Sequence, residues 1–163
     1  MSTRKSDFLS SIRMRLVNQS DCMDLFRWRN DPDTRKNSVL GADAVPIEDH
    51  KKWFASKLKN PSSRLYIGVS GKNKVGLMRF EIEKDNVIVT TNVNPAYRGM
   101  GVGTKIMNLT TVKVYKEFRK PIIAKIKNDN IASIKMCANN GYIVKKKTKE
   151  ITYMCFAKEC SIV

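Results

Sequence analysis

Asn92-Val93-Asn94-Pro95-Ala96-Tyr97-Arg98-Gly99-Met100-Gly101-Val102-Gly103-Thr104 joins the end of an apolar alternating run to a glycine-rich turn and then to a helical pattern. Gly99, Gly101 and Gly103 can take backbone angles closed to other residues and carry no Cβ to hold a ligand off the main chain. A helix expected over 102–118 adds unpaired N–H groups and the positive end of its dipole. Such a turn can bind a diphosphate largely through backbone groups.

Spacing separates the glycine-rich motifs that compete for this turn. A Walker loop requires Gly-Lys-Ser/Thr in that order, whereas Thr104 precedes Lys105. A dinucleotide fingerprint requires glycine where Thr104 stands and an acidic residue about 20 positions on, and Asp129 lies too far along. Arg-Gly-x-Gly-x-Gly after a strand ending in Asn-Pro resembles the acyl-CoA loop of the GNAT superfamily of N-acetyltransferases. A second segment, Asn130-Ile131-Ala132-Ser133-Ile134-Lys135-Met136-Cys137-Ala138-Asn139-Asn140-Gly141-Tyr142, resembles the later motif of that family, in the family's order. Physically, Asn130 can cap a short helix and Gly141 can supply the left-handed turn that stops it.

The 163 residues suffice for one domain with a real core, expected over 12–163 behind a flexible stretch 1–11. No apolar run is long enough to span a membrane, and the basic N-terminus lacks a signal-peptide core, so a cytoplasmic location is expected. Cys22, Cys137, Cys155 and Cys160 form no CxxC pair, so free thiols are expected and no metal site. The net charge of +16 admits nucleic acid as a partner. Its basic residues are scattered, however, and the densest run, Lys145-Lys146-Lys147, reads as an edge strand protected by lysines. Anionic small ligands are therefore preferred over RNA.

Ile12, Met14 and Leu16 alternate with Arg13 and Arg15, giving a first strand. Ser20 and Asp21 open a helix that Asp31-Pro32 stops at about Asn30, and a loop over 33–44 leads to a helix over 48–59. Strands follow at 64–69, 74–82 and 86–92, with turns at 71–73 and 84–85. After the 102–118 helix come a strand at 122–127, the Asn130 helix, and strands at 142–147 and 151–157. This order suits the α/β (α+β) GNAT fold that the resemblance implies: a mixed central sheet of about seven strands, helices on both faces, and a splay between the fourth and fifth strands.

The resemblance implies an acetyl-CoA-dependent N-acetyltransferase without a metal, working by direct attack of a primary amine on the thioester. It places Asn92, Val93 and Asn94 beside the pantetheine, with the Val93 N–H as oxyanion donor. Arg98, Gly99, Met100, Gly101, Val102, Gly103 and Thr104 fall to the cofactor's phosphates, and Asn130 and Ser133 to further cofactor contacts. The family's usual acid, a Tyr four positions before the glycine, is replaced by Cys137, which reads either as the acid or as a small core thiol. Glu81, two residues before Glu83 on the preceding strand, reads as a base acting through water or as a solvated sheet face. Trp28 to Arg35 and Glu48 to Phe54 resemble the subgroup that acetylates a nucleotide-linked amino sugar in the pseudaminic-acid pathway, and more loosely ribosomal-protein N-terminal acetyltransferases. Arg29, Asn30, Arg35 and His50 are the substrate contacts expected, with Trp53 and Phe54 as core. The acceptor is thus an anionic small-molecule amine, the enzyme a candidate homodimer. A peptide amine, or a CoA-binding or RNA-associated module without catalysis, are the alternatives.

Overall fold

The structure, a computed structural model, describes residues 3–156. Its centre is a seven-stranded sheet in the order β1-β2-β3-β4-β5-β7-β6. The strands are β1 (Arg13–Leu16), β2 (Ser63–Ser70), β3 (Asn73–Glu83), β4 (Asn86–Val93), β5 (Ile122–Lys127), β6 (Ile143–Lys147) and β7 (Ile151–Phe156). β4 and β5 run parallel, and the other neighbouring pairs are antiparallel. The expected splay is there: β4 and β5 pair only over Val87–Val89 and Ile122–Ala124, although β5 pairs with β7 along its whole length. The lysine-rich β6 is exposed throughout at the sheet edge, as its composition suggests.

Alternation within the strands sorts side chains onto two faces. Tyr66, Met78, Phe80, Val87 and Val89 enter a core shared with the helix α5 (Val102–Phe118). Leu65, Ile67 and Leu77 face the other way, toward Leu25, Trp28 and Phe54. Those last three stand on α2 (Cys22–Asn30) and α4 (Ile47–Lys59). Trp53 packs at the edge of this second cluster while Phe54 is fully buried, so both serve the core as expected. One contact fixes α5 against the sheet. A Cβ added at Gly68 or at its register partner Gly76 would lie 2.9 Å from Ile106, so the two glycines form the hollow that receives this side chain.

Several local expectations are corrected. Residues 1–11, expected to be flexible, contain α1 (Thr3–Ser11), which docks by stacking Phe8 on Tyr97 at 5.5 Å and by packing Leu9 against the α5-side core. The loop expected over 33–44 begins with α3 (Pro32–Asn37), because Asp31 accepts from the N–H groups of Asp33 and Thr34 and Pro32 holds the first helical position. The stop signal is also a start signal. Ahead of α2, Asn18 rather than Ser20 forms the cap, of a 3-10 turn over Gln19–Asp21. Asp21 is buried and held by Arg15 at 2.7 Å and Lys74 at 2.8 Å. Burial raises its pKa, but the Arg15, Asn18 and Lys74 hydrogen bonds outweigh this and hold it well below the usual range. Cys22 and Cys137 are free thiols, but Cys155 is disulfide-bonded, against the expectation of free thiols throughout. Residue 157, expected to close the last strand, and Cys160 lie outside the described residues.

Candidate active site at the splay

The gap between β4 and β5 exposes one side of a strand's backbone, and hydrogen-bond parity says which groups. Val87 N–H donates toward β5, to Pro121 O at 2.8 Å, whereas Asn94 N–H donates toward β3, to Val75 O at 3.0 Å. With continuous register between them, the two-residue period turns the N–H groups of Thr91 and Val93 toward the gap and those of Thr90 and Asn92 toward β3. The Val93 N–H is therefore turned toward the gap. Asn92 and Asn94 are corrected: their backbone amides belong to the β3 side. Their side chains are also engaged, Asn94 donating to Lys74 O at 2.8 Å and Asn92 accepting from Thr34 at 3.3 Å.

Beyond Val93, a 3-10 turn (Pro95–Tyr97) carries the chain into the glycine loop. Gly99 and Gly101 have φ of 72° and 87°, angles costly for other residues. Gly101 starts α5 without any side-chain cap, and the bond from Lys105 N–H to Gly101 O begins the ladder. Hence Val102, Gly103 and Thr104 keep N–H groups without an intrahelical acceptor, facing outward at the positive end of the dipole. Gly103 serves a different purpose. Its added Cβ would lie 2.7 Å from Met136 Sδ and 3.3 Å from Val93 Cγ2, so its lack of a side chain lets α6 (Ile131–Asn139) and β4 close on α5. Asn130 caps α6 by accepting from Ser133 N–H at 3.2 Å, and Gly141 follows it at φ 82°. Met100 packs against the core and Val102 is buried, so the side chains of both are turned to the core. The Arg98 side chain, expected on a phosphate, is instead tied to Asp31 at 2.7 Å and Thr34 at 2.8 Å.

That tie brings α3 to the splay on the face opposite α5. Thr34 reaches Asn92 on β4, and Lys127 at the end of β5 donates to Lys36 O at 2.7 Å, so α3 bridges the diverging strands. Beside it lies Arg79 of β3, which sequence reasoning missed. Arg79 sits 5.4 Å over the Trp53 ring and donates to Thr90 Oγ1 at 3.3 Å. Burial, opposed by Glu81 and aided by Arg29, pushes its guanidinium down. Among the described residues, the buried side-chain polar atoms without a hydrogen-bond partner belong to Arg29, Arg35 and Arg79.

Other expected site residues are elsewhere. Glu81 is ion-paired with Lys57 and stands opposite Ile88, about 17 Å along the strands from Val93, too far for a base at the thioester. Cys137 is buried in the α5-side core, where desolvation pushes its thiol up to about 12. The core role is the one its surroundings fit. His50, expected at the substrate, is buried between α2 and α4; its Nε2 lies 2.9 Å from Cys22 O and its ring lies against Phe26, Trp53 and Phe54. Burial lowers its pKa more than that hydrogen bond raises it, so it is a neutral structural group. Asn30 is likewise structural, clamping Val45 through both N–H and C=O at 2.7 and 2.9 Å.

No helix among the described residues is long and apolar enough to cross a membrane, and no metal-binding cluster occurs among them. Solved structures with this arrangement are acetyltransferases in several cases. The spermidine N-acetyltransferase of Vibrio cholerae, solved with CoA and spermine, superposes with a TM-score of 0.80 at 12% identity over 90% of this chain and 95% of that one. The aminoglycoside acetyltransferase AAC(6')-Ib with CoA and kanamycin gives 0.76 at 16% identity, over 91% and 95% of the two chains. A domain from Methanocaldococcus jannaschii gives 0.74 at 22% identity, over 89% and 98%. At these identities the likeness is one of fold. No curated protein sequence matches the chain. The GNAT acetyltransferase domain family matches residues 11–143, and the chain belongs to that family.

Proposed function

We propose that the chain is an acetyl-CoA-dependent N-acetyltransferase that brings a primary amine to the thioester from the α2–α3 face while the cofactor enters beside α5. The observation that carries this reading is the splay, with the Val93 N–H turned into it and the uncapped, glycine-opened start of α5 next to it. Acetyl-CoA supplies the activated acyl group when bound. The amides of 102–104 meet its diphosphate, and the Val93 N–H meets the charge that develops on the thioester oxygen. A thiolate leaves with an ordinary thiol pKa of about 8.5, so no acid at position 137 is needed. The cationic side chains around the acceptor face favour its amine in the neutral, nucleophilic form.

Within that class, we take a nucleotide-linked amino sugar as the leading acceptor. Arg29 and Arg35 support it, each with a buried N–H lacking a partner. A ribosomal-protein N-terminal peptide is the rival. Acetyl-CoA binding by calorimetry, followed by mass-spectrometric detection of acetylated product from nucleotide-linked amino sugars, N-terminal peptides and spermidine, tests both levels. The expected ranking of kcat/KM places the amino sugar first. A peptide ranking first removes the acceptor assignment. Acetyl-CoA binding with no product from any amine turns the reading toward a module without catalysis.

A further inference from the structure

We infer that Arg79, flanked by Arg29, forms an oxyanion subsite that holds a phosphate or carboxylate of the acceptor at a fixed distance from its amine. The inference rests on the acetyltransferase reading above and names the acceptor's second recognition element. Three observations carry it. The first is the set of unfilled donors: Arg29 Nη1, Arg35 Nε and Arg79 Nε are all guanidinium nitrogens, and all belong to the α2–α3 face. A buried polar group without a partner opposes folding, so it calls for a ligand or another function.

The second is charge balance. Glu81 Oε2 lies 3.6 Å from Arg79 Nε, but its other oxygen is held by Lys57, and Glu83 is paired with Lys125 at 3.5 Å. Lys57 and Arg79 thus share the Glu81 carboxylate, and Arg29 is close enough to Arg79 to add to the positive charge. An arginine stays protonated under these conditions, so the excess positive charge is permanent. Trp53 lies against one face of the Arg79 guanidinium, and a guanidinium engages a phosphate or carboxylate through its in-plane N–H groups.

The third is position. Arg79 reaches Thr90, and Thr90 is three residues before Val93 on the same strand. The strand rise puts the subsite about 10 Å from the thioester-polarising N–H. Asn92 and Thr34 lie between the two, on the same face. An acceptor that spans them carries its amine and its oxyanion several bonds apart, as a phosphorylated or nucleotide-linked amino sugar does. An α-amino acid, with the two groups on adjacent atoms, does not span them.

The test uses the full chain saturated with CoA, so that added anions do not compete for the glycine loop. Inorganic pyrophosphate titrated calorimetrically should bind the wild type and bind Arg79→Gln at least tenfold more weakly, with acetyl-CoA affinity unchanged within twofold. Glutarate in a parallel titration separates a carboxylate subsite from a phosphate one. Glucosamine 6-phosphate should likewise be acetylated with a lower KM than glucosamine, and Arg79→Gln should erase that difference. If Arg79→Gln does not fold, Arg29→Gln should weaken pyrophosphate in the same direction. Acetyl-CoA binding together with no binding of either anion, or with equal anion binding by wild type and Arg79→Gln, overturns the subsite and leaves the acetyltransferase reading standing. Failure of acetyl-CoA itself to bind overturns that reading instead.

Discussion

Replacing Gly103 by alanine tests whether the glycine loop positions the polarising amide or merely accommodates phosphate. The new methyl group would lie 2.7 Å from Met136 Sδ and 3.3 Å from Val93 Cγ2, so α6 or β4 must yield. Overpacking of this kind costs about 1–3 kcal/mol, and alanine for glycine inside a helix returns about 1 kcal/mol. Net destabilisation should therefore be only about 0–2 kcal/mol by urea titration, and the protein stays folded. Activity is more sensitive, because Val93 carries the N–H turned into the splay and a displacement of about 1 Å can cost on the order of 100-fold in rate. We expect kcat to fall at least tenfold while acetyl-CoA affinity falls less. Adding Met136→Ala opens space for the methyl group. The double variant should then be more stable than additivity predicts by about 1 kcal/mol and recover part of kcat. Strict additivity, with kcat within twofold of wild type in Gly103→Ala, would refute the argument that this glycine sets the α5–α6–β4 approach.

His50 should act on stability rather than on turnover. Its pKa is lowered in the folded protein, so its contribution is fully present above the unfolded value of about 6.5 and is lost as pH falls through the folded value. Thermal unfolding between pH 7 and 5 should therefore weaken by at most about 1.4 kcal/mol per pH unit, and His50→Gln should flatten that slope with kcat/KM for either substrate within threefold. Cys137→Ala should keep kcat within about tenfold, because a lost general acid would cost about 10² to 10⁴. In thiol labelling of the native protein, Cys22 should react before Cys137, whose burial pushes it up to about 12; the reverse order would contradict its place in the core.

The parts legible in the sequence are those set by near neighbours. Glycine spacing located the start of α5, Asn130 and Gly141 bounded α6, and alternation found all seven strands within about two residues. Arg79 was not legible, because in Arg79-Phe80-Glu81-Ile82-Glu83 it alternates with apolar residues like any solvated sheet position. Its environment is set by Trp53 on α4, which lies against it, and by the charge of Arg29 on α2, both distant in sequence. His50 failed for the same reason: a polar residue on an amphipathic helix gives no sign that Cys22 and three aromatic rings will enclose it. The backbone parity of β4 was also hidden. Which of Asn92, Val93 and Asn94 turns toward the gap depends on the register with β3, a tertiary fact.

Charge separates this chain's proposed acceptor from those bound by its structural neighbours. Spermine and kanamycin, present in two of those structures, are polycations. On this chain, with a net charge of +16, the α2–α3 face carries Arg29, Arg35 and Arg79, and Glu81 and Glu83 beside Arg79 are also paired with lysines. A polycation would meet repulsion at each of its amines. An acceptor with one amine and one oxyanion meets attraction at the guanidinium groups and a different effect at the amine. A unit charge about 10 Å from that amine, at an effective dielectric of about 20, lowers its pKa by about one unit. That raises the neutral fraction of the amine, the form that attacks the thioester, about tenfold. The same arginines that would hold the oxyanion thereby do what Glu81, paired with Lys57 and far from Val93, is not placed to do.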